Sequence, residues 1–171
     1  MGQSITCLIT NKAIEVDKSI VHFRIRNVLF VPFDISTSLS DFIENAKNFE
    51  TVSELFDSYN EYTKEDMMMD FYEETHSTLD IIKFVNDYQI EDFILEHSSD
   101  FADIPVDSFF MCVKGGNIMK DSLVFDQKEF SNNNAIHNVE KYRDYFNIKS
   151  NWIASSKFHR YSFAEKEYKN Q

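Results

Sequence analysis

The chain has 171 residues and a net charge of −12, with 43% hydrophobic and 15% aromatic residues. That is enough length for one domain with a real core, and too aromatic a composition for a disordered chain. Three glycines, two prolines and two cysteines argue against a glycine-rich phosphate loop and a disulfide scaffold; no apolar run reaches the ~20 residues of a membrane span, and no secretion signal is read, so a cytoplasmic protein is expected.

Residues 3–10 (QSITCLIT) and 20–33 (IVHFRIRNVLFVPF) read as extended. In the second, Val21, Phe23, Ile25, Leu29, Val31 and Phe33 alternate onto one face, with His22, Arg24 and Arg26 on the other. Residues 11–19 join the two as a hairpin loop or a short third strand. Pro32 has no amide donor and is expected to end the ladder.

From residue 36 the apolar period becomes 3.6. Leu39, Phe42, Ile43, Ala46 and Phe49 predict one helix behind Ser36-Thr37-Ser38. Thr51-x-x-Glu54 is a capping box for a second, carrying Val52, Leu55, Phe56 and Tyr59. Thr63 can cap a third through Met67, Met68 and Phe71, where Met67–Met69 read as core or helix filler. Ser77 can cap a fourth through Ile81, Ile82, Phe84, Val85 and Tyr88, and Ile90, Phe93 and Ile94 suggest a short fifth over 89–97. Pro105 marks the exit. Residues 108–114 and 118–125 then flank Gly115-Gly116-Asn117 as a hairpin, a helix is expected from 136 to 147, and one or two strands within 151–163. The expected fold is α+β in a single domain, 1–171. Its antiparallel sheet comes from residues 1–33 and 108–171, and an acidic helical block, about 36–98 within the segment 34–107, packs on it or is inserted beside it.

Charge is strongly segregated along the chain. Residues 34–107 hold 20 acids and three lysines, a net −17, whereas residues 1–33 and 108–171 carry +2 and +3. Clustered like charges repel one another, so solubility alone does not require them to be gathered on consecutive helices. Such a field repels nucleic acid and steers a cationic protein surface inward.

Other chemistry has weaker support. Asp66, Asp70, Glu73 and Glu74 fall on one helix face, as a divalent-cation site would need, but no calcium-loop or Glu-x-x-His pattern accompanies them, and a solvated acidic face is expected. His76-Ser77-Thr78 and His97-Ser98-Ser99 spell two His-x-Ser/Thr elements at expected helix ends, in the most anionic stretch, where a phosphate would be repelled. Cys7 and Cys112 sit among apolar strand residues, which disfavours a thiolate nucleophile. Met1-Gly2-Gln3-Ser4-Ile5-Thr6-Cys7 fits an N-myristoylation pattern, so membrane association would require acylation of Gly2, with Cys7 as a second acyl acceptor. Arg24 and Arg26 with His22, and Lys157, His159 and Arg160, could form a small anion site if the terminal strands are neighbours; surface residues that offset the acidic block are the simpler reading.

In charge, size and α+β content the chain resembles the small acidic inhibitors of phages and mobile elements, such as anti-restriction and anti-CRISPR proteins, and equally the acidic immunity proteins that block nuclease toxins. The resemblance is compositional and carries no residue across. The expectation is a non-enzymatic inhibitor without catalytic residues, metal or cofactor. It would bind no nucleic acid itself, and would cover the cationic nucleic-acid-binding surface of a nuclease or nucleoprotein effector. Its contacts are expected at Glu54, Asp57, Glu61, Glu65, Asp66, Asp70, Glu73, Glu74 and Asp80. The alternatives are a small enzyme using His22, His137 or His159 as acid/base, and an N-terminally acylated adaptor.

Overall fold

The computed structural model describes residues 4–35, 39–59, 76–101, 104–125, 133–148, 152, 161–162 and 167–168. From Ile5 to Thr10 every residue of β1 (Ser4–Thr10) is buried, because the strand lies inside the sheet with both faces covered. The fold is α+β. Six antiparallel strands run in the order β2 (Phe23–Ile25), β3 (Val28–Phe33), β1, β4 (Phe93–Phe101), β5 (Ile104–Lys114) and β6 (Asn117–Ile118). A separate two-stranded ribbon pairs β7 (Tyr161–Ser162) with β8 (Glu167–Tyr168).

Strand alternation sorts the core into two halves. Leu8, Leu29, Val31, Leu95, Met111 and Val113 point to one face, where α1 (Leu39–Ala46), α2 (Val52–Asp57) and α3 (Thr78–Asp87) cover them. Ile5, Cys7, Ile9, Phe30, Phe110 and Cys112 point to the other, under α4 (Asn133–Tyr145) and Trp152. Both thiols are buried, and burial pushes both up, Cys112 to about 12. A buried Cys7 cannot accept an acyl chain without leaving the sheet; Gly2 lies outside the described residues.

Several expectations need correction. Residues 20–33 are two strands, because the chain reverses at Arg26-Asn27, with Arg26 in the left-handed region at φ 58°. Phe23 therefore joins the α4 side of the core while Leu29 joins the other. Pro32 does not end β3, since it pairs opposite Cys7 and the strand continues to Phe33. The two-residue turn makes Ile25–Val28 the closing pair, so the polar atoms of Val28, Phe30 and Pro32 face the β2 side. β2 reaches only as far as Phe30, so the donor missing at Pro32 points where no partner strand runs. Residues 89–97 are not a fifth helix: β4 begins at Phe93 and lies between β1 and β5. The acidic helices thus end at Asp87, and a central strand comes from within the expected helical block. Residues 118–125 form a short strand and a 3-10 turn (Lys120–Ser122) in place of one strand. The third helix and most of 151–163 lie outside the described residues.

The hairpin and the remaining helices follow the sequence. Gly115 and Gly116, at φ 55° and 75°, form the two-residue loop between Lys114 and Asn117. Thr51 caps α2 in a reciprocal box: its hydroxyl accepts from the Glu54 amide (3.3 Å), and its own amide donates to the Glu54 carboxylate (3.0 Å). α3 ends in a Schellman turn, with Ile90 N–H bonded to the Val85 carbonyl (3.0 Å) and Gln89 left-handed at φ 51°.

All three acidic helices finish without a basic residue in their last turn, and at two of them lysines from distant segments supply the charge. Lys120 Nζ donates to the carbonyls of Ala46 (3.1 Å), Lys47 (3.0 Å) and Phe49 at the end of α1. Lys12 Nζ donates to those of Tyr88 (3.2 Å) and Gln89 at the end of α3. Replacing Lys120 by methionine should destabilise the fold by about 1–2 kcal/mol, since it strips a charge-assisted bond from several terminal carbonyls. An unchanged urea midpoint would refute this capping role.

Candidate binding surface on the acidic helical layer

The helices divide the charge by layer. Residues 39–59 and 76–92, which include α1 to α3, hold nine acids and two lysines, a net −7; residues 133–148, spanning α4, hold two acids and two bases and are neutral. Two further lysines from outside these segments reach the same layer, Lys12 at the end of α3 and Lys120 at the end of α1, where Lys120 also lies 4.0 Å from the Glu50 carboxylate. Lys47 pairs with Glu44 (2.9 Å) and Lys83 with Asp87 (2.5 Å), both on exposed helix surface where such pairs contribute little.

Of the nine expected contact residues the structure describes three, all on this layer. Glu54 is exposed but serves the α2 cap, where two donors of Thr51, its amide first, hold the carboxyl below the usual range. Asp80 likewise accepts from the Ser77 amide (2.7 Å) and hydroxyl (3.2 Å) at the start of α3. Asp57 is exposed and lines a cavity of about 300 Å³ between α2 and the end of α3. Glu61, Glu65, Asp66, Asp70, Glu73 and Glu74 lie outside the described residues.

The cavity joins Asp57 to a residue that the sequence reading passed over, Glu91. Val52, Phe56, Val85 and Ile90 form its floor, and Asp57, Glu91, Asn86 and Gln89 stand around it. Glu91 falls within the helix expected over 89–97, whereas the structure places it between the end of α3 and the start of β4. The Schellman turn at Gln89 instead folds Ile90 back over Val85 and brings Glu91 beside α2. The glycine hairpin then ties the two walls together. Gly116 N–H donates to the Glu91 carbonyl, and the Gly116 carbonyl accepts from Val52 N–H, both at 2.9 Å. Gly115 N–H adds a bond to the Asp92 carboxylate (2.7 Å).

A second cavity of about 270 Å³ opens on the opposite face of α3, beside Pro32, with Phe33, Phe84 and Tyr88 in its walls. Its charged residues are occupied, with Asp80 in the cap and Lys83 paired with Asp87.

His22, His76 and His97 are used in structural bonds. His22 Nδ1 donates to the Ile20 carbonyl (2.8 Å). His76 Nδ1 accepts from the Asp34 amide (2.9 Å). The Thr6 hydroxyl donates to the Ile35 carbonyl, so its bond with His97 Nδ1 (2.9 Å) has the imidazole as donor. His97 is on β4, not at a helix end, and both His-x-Ser/Thr elements thus begin at imidazoles bonded to or near the Asp34-Ile35 backbone. His137 is exposed on α4, and His159 lies outside the described residues. Among the described residues no group of His, Cys, Asp or Glu is placed to hold a metal, and no helix is long and apolar enough to cross a membrane.

The chain matches no protein-family model, no curated protein and no solved structure.

Proposed function

We propose that this protein is a non-enzymatic inhibitor whose acidic helical layer occupies the cationic nucleic-acid-binding surface of a nuclease or nucleoprotein effector. The observation that supports it is the layer asymmetry: nine acids against two lysines in the segments of α1 to α3, still in excess after Lys12 and Lys120 at the helix ends are added, and neutrality in the segment of α4 on the opposite side of the sheet. The carboxylates stand on a firm scaffold, because each helix is anchored to the sheet by buried side chains and at least one of its ends is closed by a cap or a distant lysine. A fixed array of negative charge meets the same Lys and Arg residues that hold phosphates, and so competes for them.

The test is capture from host lysate on the immobilised protein at about 50 mM salt, followed by elution with duplex DNA or RNA and, separately, with salt. A basic nucleic-acid-binding protein displaced by nucleic acid and lost by about 500 mM salt is expected, since exposed charge pairs are screened over ~8–10 Å at physiological ionic strength. A partner retained unchanged across that range, or indifferent to nucleic acid, would contradict the reading.

A further inference from the structure

We propose that the cavity between α2 and α3 receives one arginine side chain of the partner, its guanidinium at the Asp57 and Glu91 carboxylates and its aliphatic stem along Phe56 and Ile90. This rests on the acidic layer being a protein-binding surface, and it specifies the residue that the surface takes.

Size, floor and charge together select the occupant. At about 300 Å³ the cavity is at the lower limit of clefts that enclose small-molecule ligands, roughly 300–1,000 Å³, and suits one long side chain. Its floor residues Val52, Phe56, Val85 and Ile90 are only 3–7% exposed, so the site is apolar below and acidic above. Arginine matches that profile: its stem buries readily, its planar guanidinium is weakly hydrated and stacks on aromatic rings, and its fork fits carboxylates. Lysine brings a compact, strongly hydrated charge that loses more on entering an apolar pocket. Among the described residues the lining contains no cation, and Asn86 and Gln89 add neutral polar residues to it. In the other cavity Asp87 is already paired with Lys83 and Asp80 serves the cap of α3, so its acids are less suited to a second cation.

The test is a titration of the isotope-labelled protein, followed by amide resonances, with N-acetyl-arginine-amide, N-acetyl-lysine-amide and a hexalysine peptide at low salt. Saturable shifts confined to residues 52–57 and 85–91 are expected with the arginine compound, and affinity at least about threefold weaker with the lysine compound. The exposed, isosteric pair Asp57→Asn/Glu91→Gln should weaken arginine binding about tenfold, while Asp41→Asn/Glu44→Gln on α1 should change it less than about twofold. Shifts spread over α1 to α3 without arginine preference would overturn the cavity assignment and leave the electrostatic reading intact. Arginine binding in the cavity without hexalysine binding would support the assignment and remove the broader reading.

Discussion

Replacing Arg143 by methionine is expected to destabilise the fold by about 3–5 kcal/mol, a large part of the roughly 5–15 kcal/mol available to a domain of this kind. The reason is Glu96. Its carboxylate is completely buried in β4, on the face covered by α4. It accepts from both Nε (3.3 Å) and Nη2 of Arg143, and from Trp152 Nε1 (3.0 Å). Arg143 is itself only 13% exposed and lies 5.9 Å from the Phe110 ring centroid. Removing the guanidinium strands a carboxylate in the core with one indole donor among these partners. Glu96→Gln/Arg143→Met should be less destabilised than Arg143→Met alone, because no charge remains uncompensated. Urea unfolding of the two single variants and the double variant measures the coupling. A loss below about 1 kcal/mol in Arg143→Met would refute the role assigned to the pair.

The second large effect concerns binding. Reversing Asp41, Glu44, Asp57 and Glu91 to lysine should weaken association with the captured partner by roughly 30- to 900-fold at physiological salt, since each reversal alone contributes about 0.5–1 kcal/mol. The four sites are exposed on α1, on α2 and at the close of α3. Glu54 and Asp80 are poor choices for this test despite their position. Each accepts cap bonds, so lysine there would also cost about 0.5–2 kcal/mol of stability. The control reverses Glu129, Glu140, Glu165 and Glu167, four acids of the basic C-terminal flank, and so reaches the same net charge. Equal losses in both sets would show that total charge, not the α1–α3 layer, drives association. Full binding in the first set would leave the acidic layer as a solubilising surface.

Sequence by itself determined the parts of this protein that local chemistry specifies. The Thr51–Glu54 box, the Ser77 start of α3 and the Gly115-Gly116 turn each lie within a few residues and form as their side chains require. The α+β class with an antiparallel sheet was legible from alternation in the flanks and the 3.6 period between them. Charge segregation was legible too, because it is a property of order along the chain. Tertiary structure alone decided the rest. Phe93-Ile94-Leu95 is a continuous apolar run, and periodicity cannot separate a strand buried on both faces from a buried helix; pairing with β1 and β5 settles it. Asp57 and Glu91 are 34 positions apart and line one cavity because a left-handed Gln89 and the glycine hairpin fold the chain back. Lys12, Lys120 and the Glu96–Arg143–Trp152 cluster likewise join residues 47 to 77 positions apart. Helix ends and buried charges need partners, but sequence does not say which distant residue supplies them, since only packing brings donor and acceptor within 3 Å or so of each other.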